Sequence, residues 1–168
     1  MKRLVSSVCL LALAAGCATG YSWKPSVPEK MRTVAVPVFR NEAQATELGP
    51  IVTRQILREF QREGTFKLSD EPALEIQGVI KGASPSLTSY DRRTGLRHNN
   101  YDYRATAVVS VIDKVNGKIL INNRSYDAAV TFISNEDILS SMRDASGRIA
   151  EELARQIVDD VLGIKWKE

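Results

Sequence analysis

From Leu48 the chain places apolar side chains at every fourth position, Leu48, Val52, Ile56 and Phe60, with Ile51 and Leu57 on the same side. Positions three and four apart share one helical face, so this spacing predicts an amphipathic helix over residues 48–63. Gly64 follows where a helix-ending glycine belongs. A longer stripe, Ile138, Met142, Ala145, Ile149, Leu153, Ile157 and Val161, predicts a second helix in which Met142 is core filling. Ser134 or Asn135 is placed to cap it, and Glu136 and Asp137 favour the positive end of its dipole.

Other stretches alternate every second residue, the period of a half-buried strand. In residues 73–82, Leu74, Ile76, Gly78 and Ile80 alternate with Glu75, Gln77, Val79 and Lys81. In residues 101–113, Tyr101, Tyr103, Ala105, Ala107, Val109 and Val111 share a face. Asn116-Gly117 then predicts a hairpin, and residues 118–132 return as its partner, bulged near Asn122-Asn123. Residues 32–39, RTVAVPVF, read as the first strand; Pro37 has no N–H to give, so that strand lies at an edge or ends in a bulge there. Residues 65–68 are a short extended piece, and residues 84–104 a polar excursion.

The order is therefore β-α-β-β-β-α. Two helices with single apolar stripes bury them against one face of a four-stranded sheet, an α+β two-layer sandwich. The strands joined through the first helix are expected to be parallel, by a right-handed crossover, and the later hairpins antiparallel, so the sheet is mixed.

The N-terminal pattern is different. Lys2 and Arg3 precede an apolar run over residues 4–15. A spanning helix needs roughly 20 apolar residues and a secretion signal about 7–15, so the run reads as a signal. It ends in Ala14-Ala15-Gly16-Cys17, which resembles the bacterial lipobox, with Ala14 where that motif usually carries Leu. The resemblance implies that residues 1–16 are removed and that the Cys17 thiol carries lipid. Ala18 rather than Asp after the cysteine implies the outer membrane, on its periplasmic side. Cys9 would leave with the signal, so Cys17 has no disulfide partner, and a lone exposed thiol is a liability in an oxidising compartment, which favours lipidation. Residues 17–31, with Pro25 and Pro28, read as an extended linker, and residues 32–168 as a single domain.

Composition narrows the chemistry. Without residues 1–16 the chain keeps 152 residues, enough for one domain with its own core. Taking Lys2 and Arg3 from 23 basic residues leaves 21 against 20 acidic ones, so no global basic field points to nucleic acid. His98 is the sole histidine, which leaves no Cys/His cluster for a metal and no nucleophile paired with a base. No catalytic residue, metal or cofactor is expected beyond the lipid on Cys17.

A lipobox, the strand VAVPVFRN (residues 34–41), a helix ending REFQREGTFKL, the strand EIQGVIKG, a further sheet and a C-terminal helix ending near Trp166 together resemble the LptE family. The resemblance implies a lipopolysaccharide-assembly lipoprotein of the outer membrane that plugs the LptD β-barrel translocon. Curli-secretion-type lipoproteins, which form oligomeric channels, share the opening strand and helix and are the alternative. Lipopolysaccharide carries phosphates and acyl chains, so its binder needs cations beside apolar or aromatic surface. Arg92, Arg93 and Arg97, near Tyr90, Tyr101 and Tyr103, form the densest cationic cluster at an expected tip, diluted by Asp91 and Asp102. The resemblance implies ligand contact by a basic residue in this connection, where Arg92 and Arg93 stand. The family's lysine before the last helix has no counterpart in FISNED, residues 132–137. Arg40 and Trp166 are the candidate partner contacts.

Overall fold

The computed structural model describes residues 27–43, 47–90, 99–134 and 137–166. Two helices, α1 (Leu48–Glu63) and α2 (Ile138–Leu162), accompany six strands: β1 (Thr33–Ala35), β2 (Arg40–Asn41), β3 (Lys67–Leu68), β4 (Leu74–Tyr90), β5 (Asn99–Asp113) and β6 (Lys118–Ser134). The sheet order is β3-β1-β4-β5-β6, with β2 also on β4. β1 and β2 run parallel to β4, while β4-β5 and β5-β6 are antiparallel. The fold is α+β with a mixed sheet, but of six strands rather than the expected four.

The two extra strands have separate causes. The piece at residues 65–68 pairs, because Lys67 and Leu68 of β3 align in parallel with Thr33 and Val34 of β1. The stretch RTVAVPVF does not stay one strand. β1 is interior and stops at Ala35, before Pro37. Two residues past the proline, the Phe39 N–H donates to the Thr53 hydroxyl on α1 (2.9 Å) instead of to a ladder, and Thr53 donates in turn to the Gly49 carbonyl. The Phe39 ring drops over β4 at Gly78, where an added Cβ would stand 2.1 Å from ring carbon Cε2. Only glycine leaves room for that ring. Pairing with β4 resumes at Arg40 as β2.

Helix α1 spans the expected residues and ends at Gly64, in the left-handed conformation (φ 71°) with its N–H donating to the Phe60 carbonyl. Helix α2 begins later than Ser134 or Asn135 would start it. Its cap is Asp137, whose carboxylate accepts from the N–H groups of Leu139 (3.0 Å) and Ser140 (3.2 Å). The carboxylate is two bonds from its own backbone and takes the orphan donors of the first turn. The buried surface of α2 is also wider than one stripe: Ala150, Ala154 and Val158 join Ile149, Leu153, Ile157 and Val161. The helix packs on the sheet and on α1 at once, and small side chains suit the close approach of two helices.

Strands β4, β5 and β6 form the body of the sheet. Leu74, Ile76 and Ile80 of β4 and Tyr103, Ala105, Ala107, Val109 and Val111 of β5 are buried, whereas Gln77, Lys81 and Arg104 are exposed. The covered face is therefore single. A bulge opposite Ser110 falls at Asn122-Asn123, with Asn123 at positive φ and its N–H donating to Ser110 Oγ. The hairpin turns at Gly117 (φ 63°). Residues 84–90 are not a loop but the continuation of β4 after a register shift between Ile80 and Gly82. The shift moves the inward side chains from even to odd numbers, so Ala83, Pro85 and Leu87 oppose Ala105, Tyr103 and Tyr101. Past the β2 pairing β4 is an edge strand, which is why Pro85 costs no ladder bond.

Helix α2 runs antiparallel along β6. Arg148 reaches the Thr131 carbonyl, Gln156 the Asp127 carbonyl and Asp160 the pair Arg124 and Tyr126. Burial, and then the bond to Asp160, push the Tyr126 phenol above its ordinary pKa. The molecule thus has two ends. At one, the Asp113 to Lys118 hairpin meets the C-terminal ends of the helices and the entry of the chain, where Val27 and Met31 are buried although both precede the expected domain boundary. At the other, the helices begin and β4, β5 and β6 run on.

Candidate functional site

The end where the helices begin holds a groove. Leu48 and Ile51 of α1, Leu139 and Met142 of α2, and Ala83, Pro85 and Tyr103 of the sheet line a cavity of about 330 Å³. The inner face of the sheet passes out from under the helices here. Tyr101 stacks on Phe132 with ring centroids 5.3 Å apart, and Leu87, opposite Tyr101, is 56% exposed. Leu139 is 70% exposed at the start of α2. The surface is apolar where an ordinary sheet end would be polar, the composition expected of a contact or ligand surface.

Polar groups fringe this groove. Arg143 of α2 faces Glu47 at the start of α1 across 4.0 Å, and Ser146 turns its hydroxyl back onto the Met142 carbonyl. Tyr103 is fully buried, and its hydroxyl has no hydrogen-bond partner among the described residues. A buried hydroxyl left unpaired costs about 1–3 kcal/mol, a cost relieved by any polar group that reaches it from the groove.

The connection from Tyr90 to Asn99 leaves the sheet at this same end. Arg92, Arg93 and Arg97 belong to it and lie outside the described residues, as does Cys17. Arg40 and Trp166 are described, and they stand apart from the groove and from each other. Arg40 is exposed on β2 and borders a shallow cavity of about 560 Å³ on the uncovered face of the sheet, with Val38, Val79 and Val108. Nearby, Lys81 donates to Glu42 (2.7 Å) and holds its carboxyl below the usual range. Trp166 packs on Phe66, beside the edge strand β3, with centroids 6.3 Å apart.

The pattern of the sequence misses the groove itself. Leu48, Ile51 and Met142 read from spacing alone as helix core, and they become groove walls only because the stripes outrun the cover at their first turns. One signal was present: Ala83, Pro85 and Leu87 alternate with Ser84, Ser86 and Thr88, a strand period in a new phase.

Solved structures with a similar fold include a minor lipoprotein from Acinetobacter baumannii (13% identity, TM-score 0.49, covering 79% of this chain and 94% of that one). Another is described as a neuraminyllactose-binding hemagglutinin homologue from Helicobacter pylori (9% identity, TM-score 0.54, covering 80% and 85%). A third is lipoprotein GNA1162 from Neisseria meningitidis (12% identity, TM-score 0.46, covering 76% and 99%). At 9% identity the likeness to the Helicobacter pylori protein is one of fold alone. Among curated protein sequences none matches. The family model for LptE, described as lipopolysaccharide-assembly, matches residues 31–161, which runs from the turn before β1 to the last buried residue of α2 and carries VPVFRN with the Phe39 that it seats on Gly78; the chain belongs to the LptE family.

Proposed function

We propose that this protein is a lipopolysaccharide-assembly lipoprotein, held to the outer membrane through Cys17, that works with an LptD-type β-barrel to deliver lipopolysaccharide to the cell surface. The family match over residues 31–161 carries the reading. The groove at the helix starts supports it, because an apolar cavity at the end of the sheet from which the arginine-bearing connection departs suits a ligand of acyl chains and phosphates. Arg92, Arg93 and Arg97 would meet phosphate, where an arginine fork binds two oxygens at once. Leu87 and Tyr101 would meet acyl chain. No step of this role needs bond chemistry; the protein binds and positions.

Affinity purification of the detergent-solubilised protein from its own membranes tests the partnership. Recovery of one large outer-membrane β-barrel is expected. Recovery of a ring made only of this chain would overturn it. The ligand assignment has its own test: Arg92→Glu with Arg93→Glu weakens lipopolysaccharide binding and leaves the melting temperature and the barrel recovery unchanged.

A further inference from the structure

The opposite end, where the chain enters the fold, presents a second chemistry. Lys30, Lys118, Lys165 and Trp166 line a cavity of about 480 Å³ with Met31 and Asp113. The lysines come from three separate places: the 3₁₀ turn Glu29–Met31, the first residue of β6, and the segment after α2. All three are exposed, and none forms an ion pair among the described residues. The acid among them feels Lys118 only through space, its hydrogen bonds going to the hairpin. Asp113 is buried, and its carboxylate accepts from the N–H groups of Val115 and Asn116 and from the Asn116 amide. Trp166 Nε1 is buried without a partner among the described residues. Beside the cavity, the hairpin tip holds Val115 and Ile119 outward, 59% and 56% exposed. Other charges at this end include Glu29, next to Lys30, Arg32, which donates to the Val27 carbonyl, Asp70 and Glu71 before β4, and Lys114, which is paired with Glu75.

We propose that this end docks on the anionic phospholipid headgroups of the membrane that holds the Cys17 lipid. Lys30, Lys118 and Lys165 face the phosphates, and Trp166, Val115 and Ile119 sit at the headgroup boundary. The tether sets the orientation. Cys17 and Val27 are ten residues apart, so even a fully extended chain lets Val27 stand no more than about 35 Å from the lipid. Charge complementarity then holds the face down, since lysines near an anionic leaflet are attracted to it and salt screens that attraction. The half-buried Trp166 indole, seated on Phe66, brings an amphipathic aromatic to this face, a residue type suited to the headgroup level. The groove at the far end is left pointing away from the leaflet, free for ligand and barrel.

The inference rests on the Cys17 anchor, and the test separates the two. Trp23 and Trp166 are the two tryptophans of the chain, so a Trp23→Phe mature protein reports on Trp166 alone. It is reconstituted into vesicles whose acyl chains carry bromine, a short-range quencher of indole fluorescence, with either phosphatidylglycerol or phosphatidylcholine headgroups. Quenching at low salt should be at least about twofold greater with phosphatidylglycerol. The excess should vanish in high salt and in the variant Lys30→Glu/Lys118→Glu/Lys165→Glu. Equal quenching in both lipids, or a triple variant quenched like its parent, overturns the docking face. Flotation of the vesicles in high salt reads the anchor by itself, because acyl chains hold the protein when the lysines are screened. A chain that does not float there lacks the lipid, while its low-salt quenching still decides the face.

Discussion

The same three strands, β4, β5 and β6, make both ends of the molecule, and the two ends are closed in different ways. At the chain entry, the β5-β6 hairpin, β3, the 3₁₀ turn and the segment after α2 gather round an aromatic cluster, in which Phe60, Phe66 and Trp166 pack in sequence beside the lysine-lined cavity. At the other end the strands outrun the helices, and the inner face is left with Leu87 and Tyr101 in partial contact with solvent. One end is finished by its own chain. The other is finished only by something else. The difference lies in where the helices begin relative to strand length, and it puts packed core beneath one end while leaving the inner sheet face at the other open to ligand.

Substitutions that separate those roles sharpen the contrast. The largest effect is expected at Leu153, fully buried in α2: Leu153→Ala should lose about 2–5 kcal/mol in denaturant melts. Leu87→Ala at the open end should stay within about 0.5 kcal/mol of the parent. A loss at Leu87 comparable to that at Leu153 would mean that the open end is core after all.

Next comes the joint between the first strands and the sheet. Gly78→Ala drives a methyl group into the Phe39 ring, and overpacking of this kind costs about 1–3 kcal/mol. The double variant Gly78→Ala/Phe39→Ala should recover part of that loss relative to the sum of the single changes, which a double-mutant cycle would read directly.

Asp113 at the closed end should show a smaller effect with a pH signature. Asp113→Ala removes the acceptor that orders the hairpin and should cost roughly 1–2 kcal/mol at neutral pH. Burial alone would raise the Asp113 pKa, but the Asn116 amide and the N–H groups of Asn116 and Val115 outweigh it and hold the carboxyl below its ordinary value of 3.8. A depressed carboxylate contributes stability that is complete above its unfolded pKa and lost as pH falls through the folded one. The gap in melting temperature between parent and Asp113→Ala should therefore be constant near neutrality and narrow below about pH 4.

Smallest in stability and largest in function is Leu87→Asp. The melting temperature should hardly move, while lipopolysaccharide binding falls, because a carboxylate would meet acyl chain and phosphate alike. Unchanged binding would take Leu87 out of the ligand surface.

Much of the closed region is legible in local pattern. The stripe from Leu48 to Phe60 and the glycine at 64 are contiguous signals, and α1 occupies the residues they predict. Asn116-Gly117 and the bulge at Asn122-Asn123 are equally local. The split of the first strand is not, since the Phe39 N–H goes to a hydroxyl fourteen residues away and no nearby residue reports that choice. The length of β4 is hidden by composition: Ser84, Ser86 and Thr88 make the stretch look like a loop while Ala83, Pro85 and Leu87 keep the strand period. A groove is harder still to foresee, because it depends on where cover stops, a property of two helices and three strands together. Cys17 and Arg92, Arg93 and Arg97 stand out by motif and charge and lie outside the described residues, so their tests are chemical.

Site-specific photocrosslinking in living cells tests the division of labour most directly, with the crosslinker at Leu87 in one strain and at Lys118 in another. A lipopolysaccharide adduct is predicted at Leu87 and none at Lys118. Absence of the adduct at Leu87, or equal adducts at both positions, would contradict the account.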